Sequence, residues 1–320
     1  MKKFRLFLLS MASLLLVSAC GTTETVPVTG RKHKVSSSYS DAQMLSLGTQ
    51  EYTKFMSTAQ KSTDAANTAM VQRVGQRLAN AVTTYLKGHG YAADANSFQW
   101  EFNLVQNKEA NAWCLPGGKI VVYEGLLPYT ENETALAIVL GHEIAHAVAK
   151  HSAEQLTKQN NQSVLTKVIG TAGQMVGGTA GTIVQAGASV AGNYAFPLMN
   201  LKYSRSNESE ADYMGLIFAA MAGYNPEEAI PFWKRMSSGS SNSSDFFSDH
   251  PSDEKRIAAL EKEMPEAKKY YEAAVAAGNA AIKTTTKTTT KTATKSKGKK
   301  TTTKTTTRTS SKKRSASSRK

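Results

Sequence analysis

The run from Ala135 to about Lys158 constrains this chain more than any other part of it. Apolar Leu136, Ile138, Val139, Leu140 and Val148 surround His142-Glu143-Ile144-Ala145-His146. Just before it, Thr130-Glu131-Asn132-Glu133 matches a capping box, with Thr at the N-cap and Glu three residues on. The pattern predicts one continuous helix, started by Thr130. Histidines at i and i+4 share a helix face about one turn apart, so both rings reach one ion. Glu143, between them, is placed to take a proton from a water that such an ion activates. Two histidines and a carboxylate in so apolar a helix are costly to bury unless a metal holds them.

A catalytic zinc site needs a third protein ligand. His151 lies five residues beyond His146, but an uninterrupted helix carries it away from the ion. The metzincin spacing also fails, because Ala149 and Ser152 stand where that pattern needs glycine and histidine. His151 is therefore read as a supporting or surface residue. The better candidate is Glu208, in Glu208-Ser209-Glu210-Ala211-Asp212, on a second helix from about Ser206 to Ala222 closed by Gly223. Glu208 and Asp212 are four apart and share a face, whereas Glu210 points elsewhere. One of the two carboxylates can ligate zinc and the other can hold a histidine's distal N–H.

Around these two helices the chain reads as mostly helical with one small sheet. Residues from Asp41 to Lys87 show helical spacing, with Asp64 able to start a second helix. Phe98 to Leu104 alternates in polarity like a half-buried strand. Gly117-Gly118 turns the chain into a β-branched strand, Lys119 to Tyr123, that can pair with it. Residues 164–193 are rich in Gly, Ala, Val and Ile. Seven glycines between 170 and 192, with Gln174 and Gln185, argue for a mobile helical hairpin or lid over a membrane span. Asn225-Pro226 opens another helix, and a last one follows His250-Pro251-Ser252 to about Ala277.

The N-terminus has the grammar of an export signal. Lys2, Lys3 and Arg5 precede an apolar stretch from Leu6 to Val17, too short to span a bilayer. It ends in Val17-Ser18-Ala19-Cys20, which resembles the lipobox of bacterial lipoproteins. The resemblance implies removal of residues 1–19 and a lipid on Cys20. Only Cys114 then remains, so no intramolecular disulfide forms. Between Trp113 and Leu115, Cys114 is expected to be a small buried apolar residue. Gly21 to about Ser40 is polar and turn-rich and reads as a tether, residues 20–40.

The formal net charge of +14 is misleading as an average. From Lys283 to Lys320 there are 14 Lys and Arg and no acid, which leaves 25 basic against 25 acidic residues before it. A uniformly basic nucleic-acid-binding fold is excluded, and no specific nucleic-acid partner is expected. The tail, almost all Thr, Ser, Lys and Arg, cannot bury a core and is expected to be disordered. It is suited to weak, salt-dependent contact with anionic surfaces.

His142 to His146, followed by Ser204 to Asp212, resembles the gluzincin family of the Ste24 (CAAX prenyl protease) and HtpX-type peptidases. The similarity is strongest to its soluble, lipid-anchored bacterial branch. Asn111 to Ile120 resembles the family's strand segment before the metal helix, and His250-Pro251 with Arg256-Ile257 its C-terminal element. The similarity spans roughly residues 40–265. It implies an α+β, mainly helical zincin domain over residues 41–282, with the small sheet beside the HEXXH helix. It implies one Zn2+ per chain on His142, His146 and Glu208, Glu143 as general base, and Asp212 orienting a ligating histidine. It implies that the strand carrying Ile120, Val121 and Val122 binds substrate by β-augmentation. His250 is a candidate plug of the open metal position. The implied activity is a zinc-dependent metalloendopeptidase acting on unfolded or misassembled envelope proteins. It would be lipid-anchored on the periplasmic side of the bacterial envelope, at the outer membrane in preference to the inner. The rival reading is a chaperone-like or scaffolding lipoprotein with little cleavage.

Overall fold

The computed structural model describes residues 21–162, 198–199, 201–238 and 254–295. The expectations for Cys20, for residues 164–193 and for His250 lie outside the described residues. By contact density the chain divides into two units, Met1–Val275 and Ala276–Lys320. The description that follows concerns the first.

The chain opens with a hairpin, β1 (Gly21–Thr25) antiparallel to β2 (Lys32–Ser36). Helix α1 (Asp41–Met56) follows, then α2 (Ala65–Gly88) and the short α3 (Ala92–Ser97). Asp64 starts α2 as expected, accepting from the Asn67 N–H at 2.9 Å. Three strands come next: β3 (Glu101–Val105), β4 (Ala112–Leu115) and β5 (Lys119–Tyr123). A single turn, α4 (Leu127–Thr130), leads to α5 (Glu133–Val148), and residues 151–162 form α6. Then come α7 (Arg205–Met221), α8 (Ala229–Ser238) and α9 (Glu254–Lys295). Among the described residues no helix is long and apolar enough to cross a membrane.

The sheet order is β3-β5-β4, with β3 parallel and β4 antiparallel to β5. The expected pairing of the two strands is present, but β5 is the centre of the sheet. Its main-chain groups are used on both sides, and Ile120, Val121 and Val122 are fully buried. The expectation that this strand takes substrate by β-augmentation is therefore wrong: a central strand has no edge to offer. The period-two alternation of β5 serves two cores instead. Ile120 and Val122 face the main core with α2, α5 and α7, while Val121 and Tyr123 face a second cluster with Met44, Tyr52 and Trp113.

Three local expectations also change. Helix α5 starts at Asn132, whose Oδ1 accepts the Ala135 N–H at 2.9 Å, and not at Thr130. Thr130 instead ends α4, its hydroxyl donating to the Leu127 carbonyl at 3.1 Å, and Glu131 in a left-handed conformation (φ 61) separates the two helices. The run to Lys158 is not one helix either. It stops at Val148, and Lys150 takes a left-handed φ of 55 before α6 begins. Finally, residues 21–36 are a folded hairpin, with Val26 buried in the main core, where a tether was expected. Pairing across a tight turn satisfies the polar backbone that a tether would leave to water.

In the second unit, α9 continues as helix to Lys295, into the Lys/Thr segment expected to be disordered. Extension of an existing helix avoids the cost of nucleating a new one, which offsets the poor propensity of Thr.

Candidate metal centre

Helices α5 and α7 cross at Gly141 and Gly215. A β-carbon on Gly215 would lie 2.6 Å from the His142 nitrogen, and one on Gly141 would lie 2.6 Å from the Gly215 carbonyl oxygen. Only paired glycines allow two backbones so close. The approach brings Glu208, one to two turns before Gly215, over the His142–His146 face. Ser204 sets where α7 begins, accepting the Asn207 N–H at 3.3 Å in a capping box.

His142 Nε2 and His146 Nε2 stand 3.1 Å apart, and Glu208 oxygens lie 3.5 and 3.4 Å from them. All three residues are buried. Tetrahedral zinc with bonds of about 2.1 Å places its donor atoms about 3.4 Å apart, so the spacing fits that ion. Burial disfavours a charged imidazole at His142, yet hydrogen bonds with Asp212 and Glu208 outweigh it and push its pKa up to about 9. Glu143 is buried beside them, and its charge adds to the burial that raises the Cys114 thiol. Cys114 itself is buried, as expected.

The ligand candidates are held from behind. Asp212 Oδ1 lies 2.9 Å from His142 Nδ1, so Nδ1–H donates to the carboxylate and Nε2 is left for a metal. Arg256 from α9 donates to the same Asp212 oxygen and lies with its guanidinium 3.6 Å from the centre of the Trp233 ring. Tyr203 stacks on His146 at 4.1 Å, its hydroxyl bonded to Ser152 at 2.9 Å.

His151 does not lie on the surface. The break at Lys150 turns it back, fully buried, with its Nδ1 2.9 Å from His146 Nδ1 and its Nε2 3.0 Å from Glu210. Glu210, off the Glu208–Asp212 face as expected, is buried too and is met by Thr29 and Arg31 of the hairpin. Sequence reasoning missed Glu210, Arg31, Tyr203 and the buried contacts of Arg256. The first two become visible only once the hairpin is placed. Arg256 carried a signal, since an arginine six residues beyond His250 belongs to the resemblance drawn above.

Two histidines and a glutamate converging at zinc-donor spacing, with a second glutamate in the helix turn between the histidines, define a metallopeptidase site of the gluzincin class. The sequence agrees: the profile described as peptidase family M48 matches residues 65–264. The chain belongs to peptidase family M48. It is 35% identical over 179 residues to a mitochondrial metalloendopeptidase OMA1 of Schizosaccharomyces pombe, covering 54% of this chain and 49% of that one. It is 31% identical over 186 residues to a beta-barrel assembly-enhancing protease of Escherichia coli, covering 55% of this chain and 38% of that one. The chain therefore spans about half the length of the first of these relatives and less of the second.

Proposed function

We propose that this chain is a zinc-dependent endopeptidase that cuts unfolded or misassembled proteins of the bacterial cell envelope, from the periplasmic side, held to a membrane by lipid on Cys20. The carrying observation is the set of three donors at zinc spacing on two helices locked by Gly141 and Gly215. The Val17-Ser18-Ala19-Cys20 pattern supports the anchor. A relative named for assembly of β-barrels supports the substrate class.

His142, His146 and Glu208 would hold a zinc ion, which when bound would supply a Lewis acid to acidify water and polarise the scissile carbonyl. Glu143 takes the proton of the attacking water and later delivers it to the leaving amine. Asp212 holds the His142 tautomer, and Arg256, by donating to it, fixes the carboxylate in place. Since β5 is internal, the sheet edge left beside α5 is β4. Tyr123 donates to the Asn111 carbonyl at 3.0 Å, so the odd-numbered residues of β4 bond inward and the main chain of Cys114 faces outward. An extended peptide added there lies alongside Glu143, and main-chain pairing makes few demands on its sequence.

The test combines metal analysis with digestion of casein. The wild type is expected to hold one zinc and to cut. Glu143→Gln is expected to keep the zinc and lose activity by about 10²-fold or more. Equal activity of the two proteins would refute the catalytic reading and favour a scaffold.

A further inference from the structure

We infer that the N-terminal hairpin is part of the metal centre: Thr29 and Arg31 are positioning residues for the ligand His146, acting through Glu210 and His151. The inference rests on the reading that His142, His146 and Glu208 bind zinc. The hairpin lies outside residues 65–264, the part of the chain matched by the family.

The chain of contacts is continuous, and His146, His151, Glu210 and Glu154 within it are buried. If His146 Nε2 faces the ion, its Nδ1 carries the proton and must find an acceptor. The acceptor is His151 Nδ1, at 2.9 Å. His151 then carries its own proton on Nε2 and donates it to Glu210 Oε2, at 3.0 Å. One tautomer of each ring satisfies both bonds, and it is fixed from the Glu210 end. Glu210 in turn is oriented by the hairpin. The Thr29 hydroxyl donates to Oε1 at 2.6 Å and the Arg31 Nε–H to Oε2 at 2.7 Å. The far side of the same guanidinium grips Glu154 of α6, with bonds of 3.1 and 2.8 Å. One arginine therefore ties α6, which carries His151, to α7, which carries Glu208 and Glu210.

The loop that presents these two residues is itself held in an unusual shape. Val28 is β-branched yet has a φ of 72, and Gly30 has 68. The loop is closed by Val26 N–H to the Arg31 carbonyl at 2.8 Å and Gly30 N–H to the Val26 carbonyl at 2.9 Å. Left-handed valine is a strained conformation that persists only where surrounding contacts over-determine it. Here those contacts are buried Val26 on one side and the Glu210–Glu154 pair on the other.

The experiment uses the full chain. Zinc affinity is measured by competition with a chromophoric chelator, and the Co2+-substituted protein is read by its visible absorption. The thermal unfolding of each metal-free protein is recorded beside them. Arg31→Met and Thr29→Val are each expected to weaken zinc binding about tenfold and to shift the Co2+ band. Arg31→Lys is expected to recover part of the loss, and Lys34→Ala, on the exposed face of β2, to change nothing. Wild-type zinc affinity and an unshifted Co2+ band in Arg31→Met would overturn the inference. Should Arg31→Met fail to fold, Thr29→Val, which removes one hydroxyl, decides by the same two readouts. A wild-type chain that binds no zinc would instead overturn the metal-site reading on which the inference stands.

Discussion

Gly141 of α5 and Gly215 of α7 meet backbone to backbone, so closely that a β-carbon on either would lie 2.6 Å from main-chain atoms of the other helix. Backbone cannot rotate out of the way as a side chain can. Gly215→Ala must therefore push α7 off α5 and move Glu208 away from both histidines. The expected cost is about 1–3 kcal/mol of stability, with zinc affinity lost to a greater degree than stability. Chemical denaturation and chelator competition on the same protein check both parts.

Arg256 is a buried cation whose partner is a buried anion. Its guanidinium is bonded to Asp212 and lies over Trp233. Arg256→Met leaves Asp212 without its counter-charge and is expected to cost about 3–5 kcal/mol. Arg256→Lys is expected to rescue little, because an ammonium cannot both stack on the indole and present a planar fork. Denaturant titration of the three proteins measures this.

Acid should loosen the hairpin before it unfolds the protein. Burial raises the pKa of Glu154, but bonds from Arg31 and Lys158 and the neighbouring charges outweigh it and bring it down to about 2. A carboxyl depressed in the folded state contributes stability fully above its unfolded value of 4.5, and that contribution is lost as pH falls toward the folded value. Buried His33, 3.9 Å from Glu154, acts in the same direction: its pKa is lowered mainly by burial, so protons favour the unfolded chain below 6.5. Between about pH 6 and about pH 3 the wild type is expected to lose about 2 kcal/mol more than Glu154→Gln. Denaturant titrations at the two pH values give the difference directly.

His250 is the residue proposed to plug the open metal position. His250→Ala is expected to raise the rate of casein cleavage several-fold, without a change in zinc content. Unchanged cleavage would sink the plug.

What the sequence determined by itself was local. The i, i+4 spacing of His142 and His146, the shared face of Glu208 and Asp212, the Asp64 cap and the Gly223 stop are all set by neighbours within about a turn of helix. The same holds for the strands Glu101–Val105 and Lys119–Tyr123, where one side chain in two faces each layer, although the first begins at Glu101 and not at Phe98 as its alternation predicted. What the tertiary structure decided was longer in range. Which strand has a free edge depends on β4 claiming one side of β5, and nothing within β5 records that. Helix α5 stops at Val148 without a glycine, since the ion pairs of Lys150 with Glu24, Asp41 and Asp94 hold a left-handed conformation that its own chemistry disfavours. That stop is what turns His151 inward. The polar segment from Gly21 to Ser36 reads as a tether until Arg31 is seen between Glu154 and Glu210, more than a hundred residues away in the chain. Local periodicity is written in side-chain spacing. Partners that meet across such distances are chosen only when burial makes an unpaired charge too costly to leave.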